Sequence, residues 1–136
     1  MEAIEWNDVY KTGIEVIDYQ HKRLIQIIND LIEIHEKEDL RVDLIDFVLD
    51  ELILYTKYHF EKEEIIMSEI KYDQLDTHKD GHGKFVEMIN NFKERTVSSD
   101  DITSELLHYL KNWITFHIEV EDKKYVDYIM YSPGIV

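Results

Sequence analysis

The chain contains no cysteine. Disulfides, thiolate-held metals and cysteine-ligated iron-sulfur clusters are therefore excluded, and any metal must be held by nitrogen and oxygen. Basic residues are scarce: 15 lysines and arginines stand against 30 aspartates and glutamates, for a formal charge of -15. That balance opposes binding to nucleic acid or anionic lipid, which both select a positive surface, while it favours solubility and tolerates cations. No apolar run approaches the length of a membrane span, and the N-terminus has neither the basic nor the apolar stretch of a signal peptide. A cytoplasmic protein with no nucleic-acid or membrane partner is expected. Internal repeats, Gly/Ser linkers and sustained strand-like alternation are also missing, and the only proline lies in Ser132-Pro133-Gly134, which stops any helix. A chain of 136 residues suits one domain, residues 1–136, with room for a sizeable core.

What is present is helical periodicity. Residues 1–17 read as an irregular arm carrying Trp6 and Tyr10, with a turn at Thr12 and Gly13, packed along the outside. Asp18 is a candidate N-cap, and Leu24, Ile25, Ile28, Leu31 and Ile32 behind it predict a helix over 18–36. After a polar break at 36–39, a second and longest pattern covers 42–70. A third, 74–95, sets Leu75, Phe85, Ile89 and Phe92 on one face and ends before a loop at 97–99. Gly81 and Gly83 lie inside it; each costs about 1 kcal/mol against alanine, which calls either for close packing by a neighbour or for tolerance by the core. A fourth pattern, 101–122, carries Leu106, Leu107, Leu110, Trp113, Ile114 and Ile118, and 123–136 forms a short tail. Short connections make neighbouring helices antiparallel. The predicted fold is all-α: an antiparallel up-down-up-down four-helix bundle with an irregular N-terminal arm and a short C-terminal tail.

Five of the seven histidines fall on these apolar stripes, and together they cover all four helices: His21, His59, His78, His82 and His117. One such histidine is an ordinary packed residue in most proteins. Five imidazoles in one small core repel one another when protonated and waste burial when unpaired, whereas a metal cluster satisfies them all. Glu63 stands four residues after His59, about 40° round the helix, so both address one site, while Glu61 and Glu64 point elsewhere. At the end of the fourth helix, α-helical geometry favours Glu121 as the partner of His117, because Asp122, five residues on, lies about 140° away. His35 reads as packing at the bundle end. Glu105-x-x-His108 copies half of a carboxylate-rich di-iron motif, but such sites need two pairs and two further glutamates, so it reads as surface.

In order, His21, His59-x-x-x-Glu63, His78-x-x-x-His82 and His117-x-x-x-x-Asp122 resemble the ligand signature of the hemerythrin family, whose members exemplify the up-down-up-down bundle. The flanks Asp18-Tyr19-Gln20-His21-Lys22 and Trp113-x-x-x-His117-Ile118 are similar to those of its free-standing, single-domain bacterial members. The resemblance implies two iron ions bridged by Glu63, Asp122 and an oxo or hydroxo group. One iron would take His78, His82 and His117; the other would take only His21 and His59, leaving one position where dioxygen binds and is held as hydroperoxide. It also implies a dry pocket walled by Leu24, Phe60, Trp113, Ile114 and Ile118, residues that equally read as plain core. Two departures are visible: no proline stands at Tyr72 and Asp73, and Ile114 occupies a place where leucine is common.

The expected function is reversible dioxygen binding for storage, delivery or sensing, without enzymatic turnover. The alternatives are a di-iron oxidase or peroxide reductase, which the five-histidine set disfavours because oxygen activation recruits more carboxylate, and iron handling or a nitric oxide response. Imidazole-rich sites also accept zinc, copper, nickel or manganese, so iron follows from the resemblance alone.

Overall fold

The computed structural model describes residues 1–37, 42–95 and 100–131. Residues 38 and 39 of the break at 36–39, the loop at 97–99 and Ser132-Pro133-Gly134 lie outside the described residues. The described elements are a 3₁₀ turn at Asp8–Tyr10 and helices α1 (Glu15–Glu36), α2 (Val42–Glu69), α3 (Leu75–Arg95) and α4 (Asp100–Phe116). A π-helical segment, His117–Asp122, joins α4 to a further helix, α5 (Lys123–Tyr131). Among the described residues there is no strand, and no helix is long and apolar enough to cross a membrane.

The fold is a four-helix bundle. Helix α1 lies against α2 and α4, and α3 closes the ring against the same two helices. Near the start of α1 and α3, and near the end of α2 and α4, the histidine-bearing segments meet: the rings of His21 and His59 lie 4.7 Å apart and those of His78 and His117 5.1 Å apart. Alternation of starts and ends at one level is what an up-down-up-down bundle requires.

The apolar stripes fill the bundle on both sides of that level. On one side runs the main core, including Ile28, Leu49, Leu52, Ile89, Leu106 and Leu110. On the other, Met67, Tyr72 and Tyr125 form a smaller cluster that closes the end of the bundle. Trp6 and Tyr10 of the arm pack against the main core, and Ile4 is buried in it.

Two readings of the sequence are corrected. Asp18 is not an N-cap. Helix α1 begins three residues earlier, after Ile14, which supplies no side-chain cap. Asp18 turns inward from the first turn and accepts hydrogen bonds from Thr12 N at 2.8 Å, Thr12 Oγ1 at 2.7 Å and Gly13 N at 3.2 Å. It gathers the backbone donors of the arm from inside the helix, and the turn it holds places Gly13 at a φ of +88°. The second correction concerns 123–136: helix continues to Tyr131, and Tyr125 is fully buried. The apolar residues of this segment have a surface to cover, the bundle end around Met67 and Tyr72, which single-segment periodicity does not reveal.

The glycines of α3 are explained by tolerance. A Cβ added at Gly81 or Gly83 meets nothing within 4 Å. Gly83→Ala is therefore expected to stabilise the protein by up to about 1 kcal/mol, through helix propensity alone. Gly13→Ala, at a left-handed φ, is expected to cost about 1 to 2 kcal/mol. Urea unfolding of the two variants, showing shifts of opposite sign, checks both.

Candidate metal centre

His21, His59, His78, His82 and His117 lie on the faces that also bury the apolar residues, so bundle packing alone carries these five inward. All seven sequence-predicted ligand residues are buried, with His21, His59, Glu63 and Asp122 entirely inaccessible. They fall into two adjoining groups that could each hold a cation: Glu63 with His78, His82 and His117, and Glu63 with His21, His59 and Asp122, the ligand atoms in each group lying within 4.8 Å of one another. Both carboxylates reach across. Glu63 Oε1 lies 2.7 Å from His59 Nε2, 3.4 Å from His117 Nε2 and 3.7 Å from His82 Nε2. Asp122 Oδ2 lies 2.8 Å from His21 Nε2, while its Oδ1 lies 2.9 Å from His117 Nε2 and 3.2 Å from His78 Nε2.

The π-helical segment decides between Glu121 and Asp122. In a π turn the backbone bonds i to i+5, so residues five apart return to the same side. His117–Asp122 is such a turn, and it swings Asp122 into the core beneath His117. Glu121 is left at the rim, paired with Lys124 at 3.1 Å.

These contacts are close but poorly oriented for hydrogen bonding. The Nε2 atoms of His21, His59, His78 and His82, Glu63 Oε2 and both Asp122 oxygens are buried without a hydrogen-bond partner. Each such atom costs about 1 to 3 kcal/mol when left unsatisfied. Lone pairs that converge without intervening donors are what a cation needs, and the set of five imidazoles and two carboxylates fits two metal ions held by nitrogen and oxygen. The charge states agree. Burial and the Asp122 charge push the Glu63 carboxyl up, but His59 and hydrogen bonding with His117 prevail and hold it at about 2. Burial likewise opposes ionisation of Asp122, yet His117 and its other imidazole neighbours keep it well below the usual carboxylate range. Burial lowers His82 to about 3, leaving it neutral and able to ligate. His117 resists burial and is held up at about 10 by Asp122 and Glu63; its proton supplies, between two carboxylates, the positive charge that a cation would bring.

Of the proposed pocket residues, Phe60 stacks on His82 with ring centroids 3.7 Å apart, and Trp113 stacks on His117 at 4.4 Å. Phe60 also meets Trp113 at 5.7 Å and His59 at 5.9 Å. Leu24, Ile114 and Ile118 are buried in the main core that carries Phe60. His35 is half-buried in α1 and His108 is exposed on α4, and neither joins a metal group.

Three residues escaped the sequence reading. Gln20 Oε1 lies 2.7 Å from His59 Nδ1, and Glu64 Oε2 lies 3.0 Å from His82 Nδ1. Glu64 does point away from both metal groups, but toward the far side of a histidine rather than into solvent alone. Tyr125 is the third: its ring lies 5.8 Å from His78, and burial, followed by the charges of Glu63 and Asp122, raises its hydroxyl well above the usual tyrosine value. The adjacency of Gln20 to His21 and of Glu64 to Glu63 was the one available signal for the first two.

Four helices that deliver five imidazoles and two shared carboxylates to adjoining groups define a metal-binding four-helix bundle. The Hemerythrin HHE cation binding domain family matches residues 12–129. The chain is 34% identical over 132 residues to the bacteriohemerythrin of Pseudomonas aeruginosa, covering 97% of this chain and 85% of the relative. It is 35% identical over 127 residues to the bacteriohemerythrin of Clostridium acetobutylicum, covering 90% and 98%, and 28% identical over 124 residues to the myohemerythrin of Theromyzon tessulatum, covering 91% and 92%. Crystal structures of hemerythrin variants match it with a TM-score of 0.79 at 26% identity, over 93% of this chain and 97% of theirs. The chain belongs to the hemerythrin family.

Proposed function

We propose that this protein binds dioxygen reversibly at a di-iron centre, for storage, delivery or sensing, and does not act as an enzyme. The observation that carries the reading is the sharing of two buried carboxylates between unequal sets of histidines, three in one group and two in the other. His78, His82 and His117 would hold one iron, His21 and His59 the other, with Glu63 and Asp122 bridging. When bound, the pair of irons supplies the electrons that dioxygen binding draws on. The chain's own work is to fix seven ligands in the core and to keep water out. Glu63 and Asp122 stay ionised under burial, so they would hold both metals and balance their charge. Phe60 and Trp113 cover the faces of His82 and His117, and the buried apolar Leu24, Ile114 and Ile118 belong to the core that carries Phe60.

Stopped-flow mixing of the reduced, iron-loaded protein with oxygen tests the reading. A visible absorption that forms within the mixing experiment, persists, and disappears when oxygen is stripped is the expected result. Rapid bleaching accompanied by turnover of an added reductant or peroxide contradicts it and favours an oxidase.

A further inference from the structure

The two metal groups are backed by different chemistry. In one, His59 turns Nδ1 to the amide oxygen of Gln20 at 2.7 Å, and Gln20 is only 2% exposed. In the other, His82 turns Nδ1 to the carboxylate of Glu64 at 3.0 Å. Glu64 is partly exposed and stands in a groove of about 700 Å³ between α2 and α3, whose walls include Lys57, Ile65, Lys79 and Val86. A ring that donates from Nδ1 keeps its Nε2 lone pair free, and in both residues that Nε2 faces Glu63. Acceptors of this kind fix the tautomer and orientation of a ligating imidazole and raise its basicity.

The difference between the two acceptors is charge. A carboxylate pulls on the imidazole N–H more strongly than a neutral amide does, so it makes the opposite nitrogen the better donor to a cation. The placement of the two has a physical reason. Glu64 opens to the groove, with Lys79 among the walls beside it; in the sealed position of Gln20 a carboxylate would lose its hydration without a compensating cation of its own.

We propose that Glu64 is a positioning residue that makes the group of Glu63, His78, His82 and His117 the tighter of the two metal sites, and that Gln20 lends the weaker support to the group of His21, His59, Glu63 and Asp122. This rests on reading the cluster as a two-metal centre. Metal therefore loads in order, first where Glu64 backs His82.

Titration of the metal-free 136-residue chain with Co(II) against a competing chelator tests the order. The unsubstituted protein is expected to show two unequal steps. Glu64→Leu weakens the tighter step by about 10- to 100-fold, and Gln20→Leu weakens the other. Glu64→Gln keeps an acceptor but removes the charge, so it recovers part of the loss. Proton NMR of the Co(II) form adds a signature that a merely structural role does not move: one shifted, slowly exchanging imidazole N–H resonance disappears in Glu64→Leu and returns in Glu64→Gln. Because Glu64 opens to solvent, the metal-free Glu64 variants should melt with the unsubstituted chain. Unchanged cobalt steps and resonances in Glu64→Leu overturn the proposal, as does weakening of one and the same step by Gln20→Leu and Glu64→Leu. Cobalt binding involves no oxygen, so ordered loading with no oxygen uptake by the iron form sinks only the dioxygen reading. A chain that takes up no cobalt contradicts both.

Discussion

Asp122→Ala is expected to abolish binding of the proposed metal pair, whereas Glu121→Ala is expected to leave it intact. The two residues are neighbours in sequence and chemically similar, so the contrast isolates geometry. Asp122 is fully buried and places its two oxygens against three histidines drawn from both metal groups: His21 on one side, His78 and His117 on the other. On the two-metal reading proposed above, removing that carboxylate would take a shared donor from both metals and leave Glu63 as the one shared anion. Glu121 offers its carboxylate to Lys124 at the rim, an exposed type of pair worth at most about 1 kcal/mol. Metal analysis of the two purified variants, with two metals per chain retained in Glu121→Ala and none in Asp122→Ala, is the expected outcome. The reverse would mean that the turn after His117 is α-helical in solution and that Glu121 takes the inward place.

Tyr125→Ala is expected to cost about 3 to 5 kcal/mol, the range for deleting a large buried aromatic side chain. Tyr125 is entirely buried, packs with Met67 and Tyr72, and stands edge-on to His78. Its loss would open a cavity directly behind His78 and remove the fully buried side chain by which α5 packs on the bundle end. Tyr125→Phe should behave differently. The hydroxyl makes no well-aligned hydrogen bond, although Glu63 stands close enough to add to burial in raising its pKa, so exchanging it for hydrogen is expected to be neutral or mildly stabilising. Chemical denaturation of the metal-free proteins separates the two; a large loss in Tyr125→Phe would show that the hydroxyl is bonded to one of the carboxylates that raise its pKa.

Helical periodicity was enough to find the bundle and the inward-facing imidazoles, because the same 3.6-residue repeat that buries Leu24 and Ile28 also buries His21, and the same holds for His59, His78, His82 and His117. Glu63 was legible for the same reason, four residues after His59. Asp122 was not. Nothing in His-Ile-Glu-Val-Glu-Asp marks a π turn, and regular geometry selects the wrong neighbour, so only the family resemblance pointed to it. Asp18 was misread because its role runs backward, from within the helix to the arm before it. Gln20 and Glu64 contact histidines 39 and 18 residues away, and no local pattern encodes such pairings. Helix α5 was read as a tail because the surface it covers is built by other segments.

The central claim, that the shared carboxylates and unequal histidine sets hold two irons for reversible dioxygen binding, is tested most directly by oxygen stoichiometry. Reduced protein loaded with iron is equilibrated with oxygen, and uptake and release are measured over repeated cycles alongside the iron content. The account predicts two irons and one dioxygen per chain, with the same amount released when oxygen is withdrawn. Oxygen that is consumed and not returned, or iron bound at one per chain, would contradict it.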